Sequence, residues 1–436
     1  MGSRHTDADA TRLRRLLRHA VADVTPLRRH RDFRLLFVGQ TLTMFGSAIT
    51  AVAVPYQVFA LTHSSLVVGM LSLAELAPLL FTALIGGALA DALDRRRLVL
   101  VTEVGLGLCA VVLVVNASLA HPQLWVLFLL AVAVGALAGF QRPSLDALLP
   151  RLVDQDELAA AGALTGIRGN ASMIAGPAVG GVLIAVAGLP FTYGVDVATF
   201  VASLAALAVM KAVPPPADAV APSLRGIVEG FRYATTRPEL VGTYGIDMVT
   251  MFFGMPLALF PALAARFGGA SALGVLYAAP AVGALLAGLT SGWASKVRRH
   301  GAAVIVAATG WGVAIVALGF APNLTLALVA LTLAGAADMV SGIFRMTIWN
   351  ETIPDALRGR LAGIEQVSYS SGPLLGNFEA GAVAALTSVR TSIVSGGVFS
   401  IVGALAVAAA LPGFRRYRGR PGAVGPIAPS AAAAES

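Results

Sequence analysis

Four ionisable side chains sit inside stretches that should exclude them: Glu75 in LSLAELAPLL, Arg168 in TGIRGNASM, Asp247 in YGIDMVTMFF and Asp338 in AGAADMVSG. A charge at the centre of a bilayer costs at least ~2.5–3.5 kcal/mol on insertion scales, so each must face a cavity or a partner. Glu75 is flanked by apolar residues on both sides. Such a carboxyl can carry a proton, hold a cationic group, or stay protonated as a packing residue. Asp247 and Asp338 are the same kind of group. Arginine keeps its charge. Arg168 therefore needs a carboxylate, with Glu103 and Asp146 available, or a polar cavity, or an anionic ligand. Glu103 and Glu365 lie nearer the ends of apolar runs and suit structural pairing. Arg345 suits snorkelling or a pair with Glu351.

A second cluster is GGALADALDRRR, residues 86–97. Asp91 and Arg95 are four apart and share a face if one helix runs through both. Arg96 and Arg97 suit contact with headgroups. Anchoring alone does not require Asp91. Gly176, Pro177, Gly180 and Gly181 in GPAVGG carry no chemistry, but they suit a hinge or seal, since proline removes a backbone donor and glycine permits close helix approach. Phe45, Tyr56, Phe140, Phe252, Phe253, Tyr277 and Trp349 are cavity-lining or packing aromatics.

The elements that must hold these residues follow from composition. Of 436 residues, 57% are hydrophobic and only 12% charged, against about 25% charged in a soluble domain. Mean hydropathy is +0.80. Apolar runs fall at 35–60, 66–90, 98–118, 124–143, 158–187, 191–210, 239–262, 271–294, 301–320, 324–347, 361–386 and 391–411. Each has roughly the 20 residues that cross a bilayer. No alternating ten-residue segments suggest a barrel. The net charge of +8 sits between the runs, which speaks for orientation rather than nucleic acid. Cys109 is the single cysteine and excludes an intramolecular disulfide. The six histidines are scattered over the arm and loops and suggest no metal site. No zincin, nucleophile-elbow or phosphate-loop signature suggests an enzyme or a nucleotide-driven pump.

Lysine and arginine crowd alternate gaps. One set holds the arm, DALDRRR, RPSLDALLPRLVDQDE, 211–238, KVRRH, ETIPDALRGR and RRYRGR; the other set contains only Arg266 and Arg390. The positive-inside rule then places both termini in the cytoplasm. The expected organisation is a basic arm over 1–34, a six-helix bundle over 35–210, a linker over 211–238, a second bundle over 239–411 and a disordered tail over 412–436. The arm has nine arginines and no cleavable-signal pattern. In the linker, Leu224, Ile227, Val228 and Phe231 suit an amphipathic surface helix. Residues 69–92 and 274–297 match at an offset of 205, pairing Gly69 with Gly274, Leu71 with Leu276, Ala74 with Ala279 and Gly87 with Gly292. GPAVGG returns as GPLLGN at 372–377. Two duplicated halves around a central cavity are a transporter architecture.

GGALADALDRRRL resembles the loop signature between helices two and three of the major facilitator superfamily, Gly-x-Leu-Ala-Asp-x-x-Gly-Arg-Lys. Gly87, Leu89, Ala90, Asp91, Arg95 and Arg96 match, and Asp94 replaces the second glycine. GPAVGG resembles the motif associated with the family's antiporters. FRLLFVGQTLTMFGSAITAVAVPYQVFALTHSSLVVG, LLPRLVDQDELAAAGAL, IRGNASMIAGPAVGGVL and GVLYAAPAVGALLAGLTSGWAS resemble the branch containing enterobactin exporters and macrolide efflux proteins. The resemblance spans about 35–411. It implies an all-α membrane protein of twelve helices in two pseudo-symmetric six-helix bundles. It also implies proton-coupled export of a small amphipathic molecule, such as an enterobactin-like catecholate siderophore, by alternating access. Multidrug or macrolide efflux is an alternative, and lipid handling or a polytopic membrane enzyme a further one. Expected partners are the substrate, protons and the lipid bilayer of the cytoplasmic membrane. Neither cofactor nor metal is expected, and the protein is expected to be a monomer. The resemblance further implies an inner gate of Asp91 and Arg95 with an acid at the end of helix four, for which Asp146 is the candidate. At the position matching Asp91 the second half has Lys296, in GWASKVRRH, so the symmetric lock is missing there.

Overall fold

A computed structural model describes residues 23–92, 94–213 and 231–419. The proposed amphipathic helix at 224–231 lies outside the described residues except for Phe231. Among the described residues the regular structure is all helical. Lipid offers backbone groups no hydrogen-bond partner, so each crossing segment must satisfy its own. The first four crossings are α1 (Arg31–Thr62), α2 (Ser65–Ala92), α3 (Arg95–Ser118) and α4 (Leu124–Leu148). The continuous stretch Leu158–Ala208 is two helices, α5 (158–187) and α6 (189–208), parted at Gly188, whose φ is 78°. A side chain would be strained at that angle. Next come α7 (Pro238–Gly254, resuming as Phe260–Phe267), α8 (Ala270–Leu289), α9 (His300–Gly319), α10 (Leu324–Thr352), α11 (Asp355–Leu386) and α12 (Val389–Ala410). These are the twelve crossings expected.

Helix ends follow local chemistry. Asp94, Asn323 and Ser388 each accept a backbone N–H of the helix that follows them, satisfying one donor of the first turn. The capping by Asp94 corrects one expectation. α2 stops at Ala92 and α3 starts at Arg95, so Asp91 and Arg95 do not share a helix. The arm is also shorter than expected. Thr25–Arg29 is a short helix, and α1 begins at Arg31. Nor is all of the tail disordered. Pro412–Arg415 is helical, with Phe414 fully buried against Gly242 and Gly301. Burial pushes the Tyr417 phenol up to about 12, so it stays a donor to Glu351 at 2.8 Å.

α7 is interrupted in mid-membrane. Pro256 has no N–H to give, and the chain passes through a short 3₁₀ turn, Leu257–Leu259, before the helix resumes. The freed groups find partners outside the helix. The Trp311 indole donates to the Gly254 carbonyl at 3.1 Å, and the Asn377 side chain accepts the Ala258 N–H at 3.1 Å. Asn377 also donates to Ser72 at 3.3 Å, joining α7, α11 and α2.

The bundles touch mainly through α2 with α11 and α5 with α8. A Cβ on Gly69 would meet the Asn377 carbonyl at 2.6 Å, and one on Gly381 the Ser65 carbonyl at 2.5 Å. A Cβ on Gly181 would meet the Gly274 Cα at 2.7 Å. All four glycines lie near the charge-poor ends of their helices. The largest buried apolar cluster crosses both bundles at that end, including Val68, Ile184, Phe260 and Leu276. At the basic end the clusters belong to one bundle each. Among the described residues, buried apolar packing therefore joins the bundles at the charge-poor end and stays within each bundle at the basic end.

Trp311→Phe keeps the ring but strands the Gly254 carbonyl in an apolar layer. It should lower the unfolding free energy in detergent by about 1–3 kcal/mol. A thermal or denaturant unfolding curve superimposing on wild type would show that the α7 break does not need this bond.

Candidate functional site

The second bundle holds a three-residue charge centre. α7 brings Asp247 and α10 brings Asp338 and Arg345. The Arg345 guanidinium binds Asp247 directly, and its other end stands 3.5 Å from the Asp338 carboxylate. Arg345 is 8% exposed. It neither snorkels nor needs the basic surface, which corrects the expectation for it. Among the described residues, one cation and two acids leave one negative charge, which a single proton would neutralise.

An open cleft lies against this centre, lined from α7 by Tyr244 and Asp247 and from α10 by Gly342, Arg345 and Trp349. Tyr244 and Trp349 stack at 5.3 Å with 28° between planes, and the Trp349 indole donates to Thr243 at 2.8 Å.

The first bundle is built differently. Glu103 of α3, 1% exposed, accepts from Ser203 of α6 at 2.6 Å, from Gln141 of α4 at 2.6 Å and from Gln40 of α1 at 3.3 Å. This is a structural hub. Its oxygens are taken, so it is not the partner of Arg168. The Arg168 guanidinium instead lies over the Phe37 ring, 5.7 Å from its centroid. Its Nε is buried without a hydrogen-bond partner among the described residues, where no carboxylate, Asp146 included, pairs with it. A cation–π contact contributes about 0.5–2 kcal/mol, below the ~2.5–3.5 kcal/mol or more that a membrane-embedded charge costs. Arg168 thus retains capacity for an anion.

Glu75, in mid-α2, packs its methylenes on α4, where a Cβ at Gly135 would meet the Glu75 Cγ at 3.2 Å. None of the described hydrogen bonds or ion pairs involves it. Asp196 of α6 escaped the sequence reading. It is buried and accepts from Thr50 at 2.6 Å and Thr199 at 3.3 Å. Its signal, a lone acid in the apolar YGVDVATF, is the one that revealed Glu75.

Of the gate residues, the side chains of Gly87 and Asp91 lie outside the described residues, as does that of Glu365. Arg95 is buried and donates to the Ala147 carbonyl at 2.9 Å, one residue beyond Asp146. It reaches the end of α4, but no described bond joins it to the Asp146 carboxylate. The bond to Ala147 is to backbone at a helix C-terminus, where a cation is favoured. Asp146 itself is exposed. Arg96 does not face headgroups. It donates to the carbonyls of Leu207 and Ala208, at 3.0 and 2.6 Å, and so closes α6. Lys296 is exposed.

The glycine motif divides by partner. A Cβ on Gly176 would meet Ala48 at 2.5 Å, and one on Gly180 would meet Ile49 at 3.2 Å, so these residues seat α5 on α1. Gly181 faces α8, with the Pro177 carbonyl 2.5 Å from a Cβ placed on Gly274. The second copy repeats this. Gly376 seats α11 on the Met251 carbonyl of α7 at 2.5 Å.

Two six-helix bundles, joined at their charge-poor end and carrying buried charges, define a membrane transporter. The chain matches the model of the transmembrane secretion effector family of the major facilitator superfamily over residues 21–419, and it belongs to that family. It is 31% identical over 398 residues to the enterobactin exporter of Citrobacter koseri, covering 91% of this chain and 95% of that one. With the enterobactin exporter of Shigella boydii serotype 4 it shares 32% over 401 residues, at the same coverage. Similar solved structures include the nucleoside transporter NupG, with a TM-score of 0.70 at 14% identity over 87% of this chain and 98% of the other. A bacterial homologue of the human lysosomal transporter Spinster, in an inward-facing and unoccupied conformation, gives 0.69 at 16% over 89% and 98%. These relatives are transporters, not enzymes.

Arg345→Ala leaves two buried acids without their cation and should cost about 3–5 kcal/mol of stability. Arg345→Ala combined with Asp247→Asn should recover part of that loss. Unfolding in detergent measures both, and additive losses would mean that the two residues do not interact.

Proposed function

We propose that the protein is a proton-coupled exporter of a small amphipathic siderophore, working as a monomer by alternating access. The similarity to enterobactin exporters supports the cargo class, and the unpaired Arg168 supports an acidic one. The observation that carries the reading is the Asp247–Arg345–Asp338 centre beside the cleft. Protonation changes its net charge from negative to neutral, so proton and substrate can be bound in turn. The proposed domains are bundles over 35–210 and 239–411, with α1 extending the first back to Arg31, and a linker over 211–238. The basic end faces the cytoplasm, because cytoplasmic loops of membrane proteins collect lysine and arginine. The described conformation is then open inward, ready to load from the cytoplasm. No cofactor enters this cycle; the proton gradient supplies the energy.

Closing the inner side would bring the bundles together at the basic end. Asp91, Arg95 and Asp146 are the proposed lock there, and Gly87 permits the approach. Gly176, Pro177, Gly180 and Gly181 form the bearing on which α5 moves against α1 and α8. Glu75 is a second candidate proton carrier. Its lack of a partner among the described residues also favours a second reading, efflux of cationic drugs, in which Glu75 holds the positive group.

Uptake of a catecholate siderophore into energised inverted vesicles should collapse on adding a protonophore. Transport indifferent to it overturns the coupling. Arg168→Ala should raise KM for an acidic substrate about tenfold, the loss of roughly one charge-assisted hydrogen bond, and leave neutral cargo unaffected. Asp91→Asn should cripple turnover at unchanged membrane abundance; wild-type turnover would remove Asp91 from the gate.

A further inference from the structure

We propose that the cleft between α7, α10 and α11 is the subsite for a planar, hydroxylated aromatic ring of the transported molecule, and that Gly342 sets its depth. The proposal deepens the reading of the protein as a small-molecule exporter and rests on it.

Gly342, Arg345, Met346 and Trp349 stand at positions i, i+3, i+4 and i+7, so they form one stripe of α10. Tyr244 and Asp247, three apart on α7, face the same cleft, and Tyr369 of α11 lines it from the side. Trp349 is held in place twice, by its stack on Tyr244 and by its bond to Thr243. An incoming ring would therefore meet aromatic faces that are already ordered, and little side-chain entropy is lost on binding. Aromatic pairs favour offset or edge-on contact, and Met346 adds a soft, adaptable border.

Gly342 leaves the floor of the cleft empty. A Cβ built on it meets no atom within 4 Å. Glycine is disfavoured in helix interiors relative to most residues, and here no neighbouring helix among the described residues demands it. That contrasts with Gly181 and Gly376, where backbone from another helix fills the space. The vacancy at Gly342 faces the cleft.

The polar groups select the ring's substituents. Ionised carboxylates only accept hydrogen bonds, and arginine only donates. A ring hydroxyl does both, and adjacent hydroxyls match the adjoining Asp247 and Arg345. Among the described residues the centre has one more acid than base, which favours a neutral phenolic ring over an anionic one. An acidic part of the same molecule would go instead to Arg168, in the other bundle.

The test is a binding titration on the purified full-length protein, following tryptophan fluorescence, with 2,3-dihydroxybenzamide as the neutral catechol probe and benzamide as the ring without hydroxyls. The catechol should change a component of the fluorescence that Trp349→Phe removes, and benzamide should bind more weakly. Gly342→Leu has room to fold, and it should cut catechol affinity about tenfold or more with an unchanged unfolding temperature. Gly342→Ala should give a smaller loss, and it serves as the test if the leucine variant is unstable. Wild-type affinity in these variants, or equal binding of benzamide, overturns the subsite. Catecholate export with an unchanged KM in Gly342→Leu overturns the subsite and leaves the export reading standing. Catechol binding that depends on Gly342, without catecholate export, overturns the export reading and leaves the subsite.

Discussion

Two carboxylates share one guanidinium inside a stack of apolar helices. Asp247, Arg345 and Asp338 are affordable in lipid only as a group, because an isolated member would cost several kcal/mol. The group also fixes geometry. It ties α7, the broken helix, to α10, and it stands beside the cleft lined by Tyr244 and Trp349. The first bundle treats its buried acids in the opposite way. Glu103 and Asp196 are surrounded by neutral donors from neighbouring helices. Glu103 and Asp196 thus act as rivets, while the second bundle keeps two acids around one arginine. That division underlies the proposed cycle, in which the second bundle carries the proton and Arg168 of the first attracts the acid part of the cargo.

A second constraint concerns backbone. The bundles meet where glycine removes the side chain that would hold them apart, at Gly69 and Gly381 on one flank and at Gly181 and Gly274 on the other. Contacts of this kind rest on close packing, the main attraction available between helices in lipid. They can be released and remade as rigid units without uncovering charge, which suits a seal that must open in each cycle.

Much of this was legible because lipid leaves a chain few options. Twelve apolar runs and the alternating basic gaps were plain in the sequence. The offset of 205 paired Gly69 with Gly274, and both stand at the bundle contact, on opposite flanks. Features that depend on distant partners were not legible. Arg345 looked like a snorkelling residue because Asp247 is 98 positions away. Glu103 was a plausible mate for Arg168 until Gln40, Gln141 and Ser203 were seen to occupy it, and neutral donors carry no sequence signal. That α2 ends before Arg95 was left open, although Asp94 before three arginines has the chemistry of a helix cap. Asp196 was overlooked despite a signal as clear as that of Glu75. The cleft needed three helices in place before Tyr244 and Tyr369 could be seen beside Trp349.

The central claim is that the charge centre of the second bundle exchanges protons for cargo. Its most direct test is proton flux in proteoliposomes, read by an interior pH dye as a catecholate siderophore is added on the loading side. Wild-type protein should move protons against the siderophore in fixed proportion. Asp338→Asn should still bind the siderophore but move no protons with it. Equal proton flux in the variant and the wild type would contradict the account.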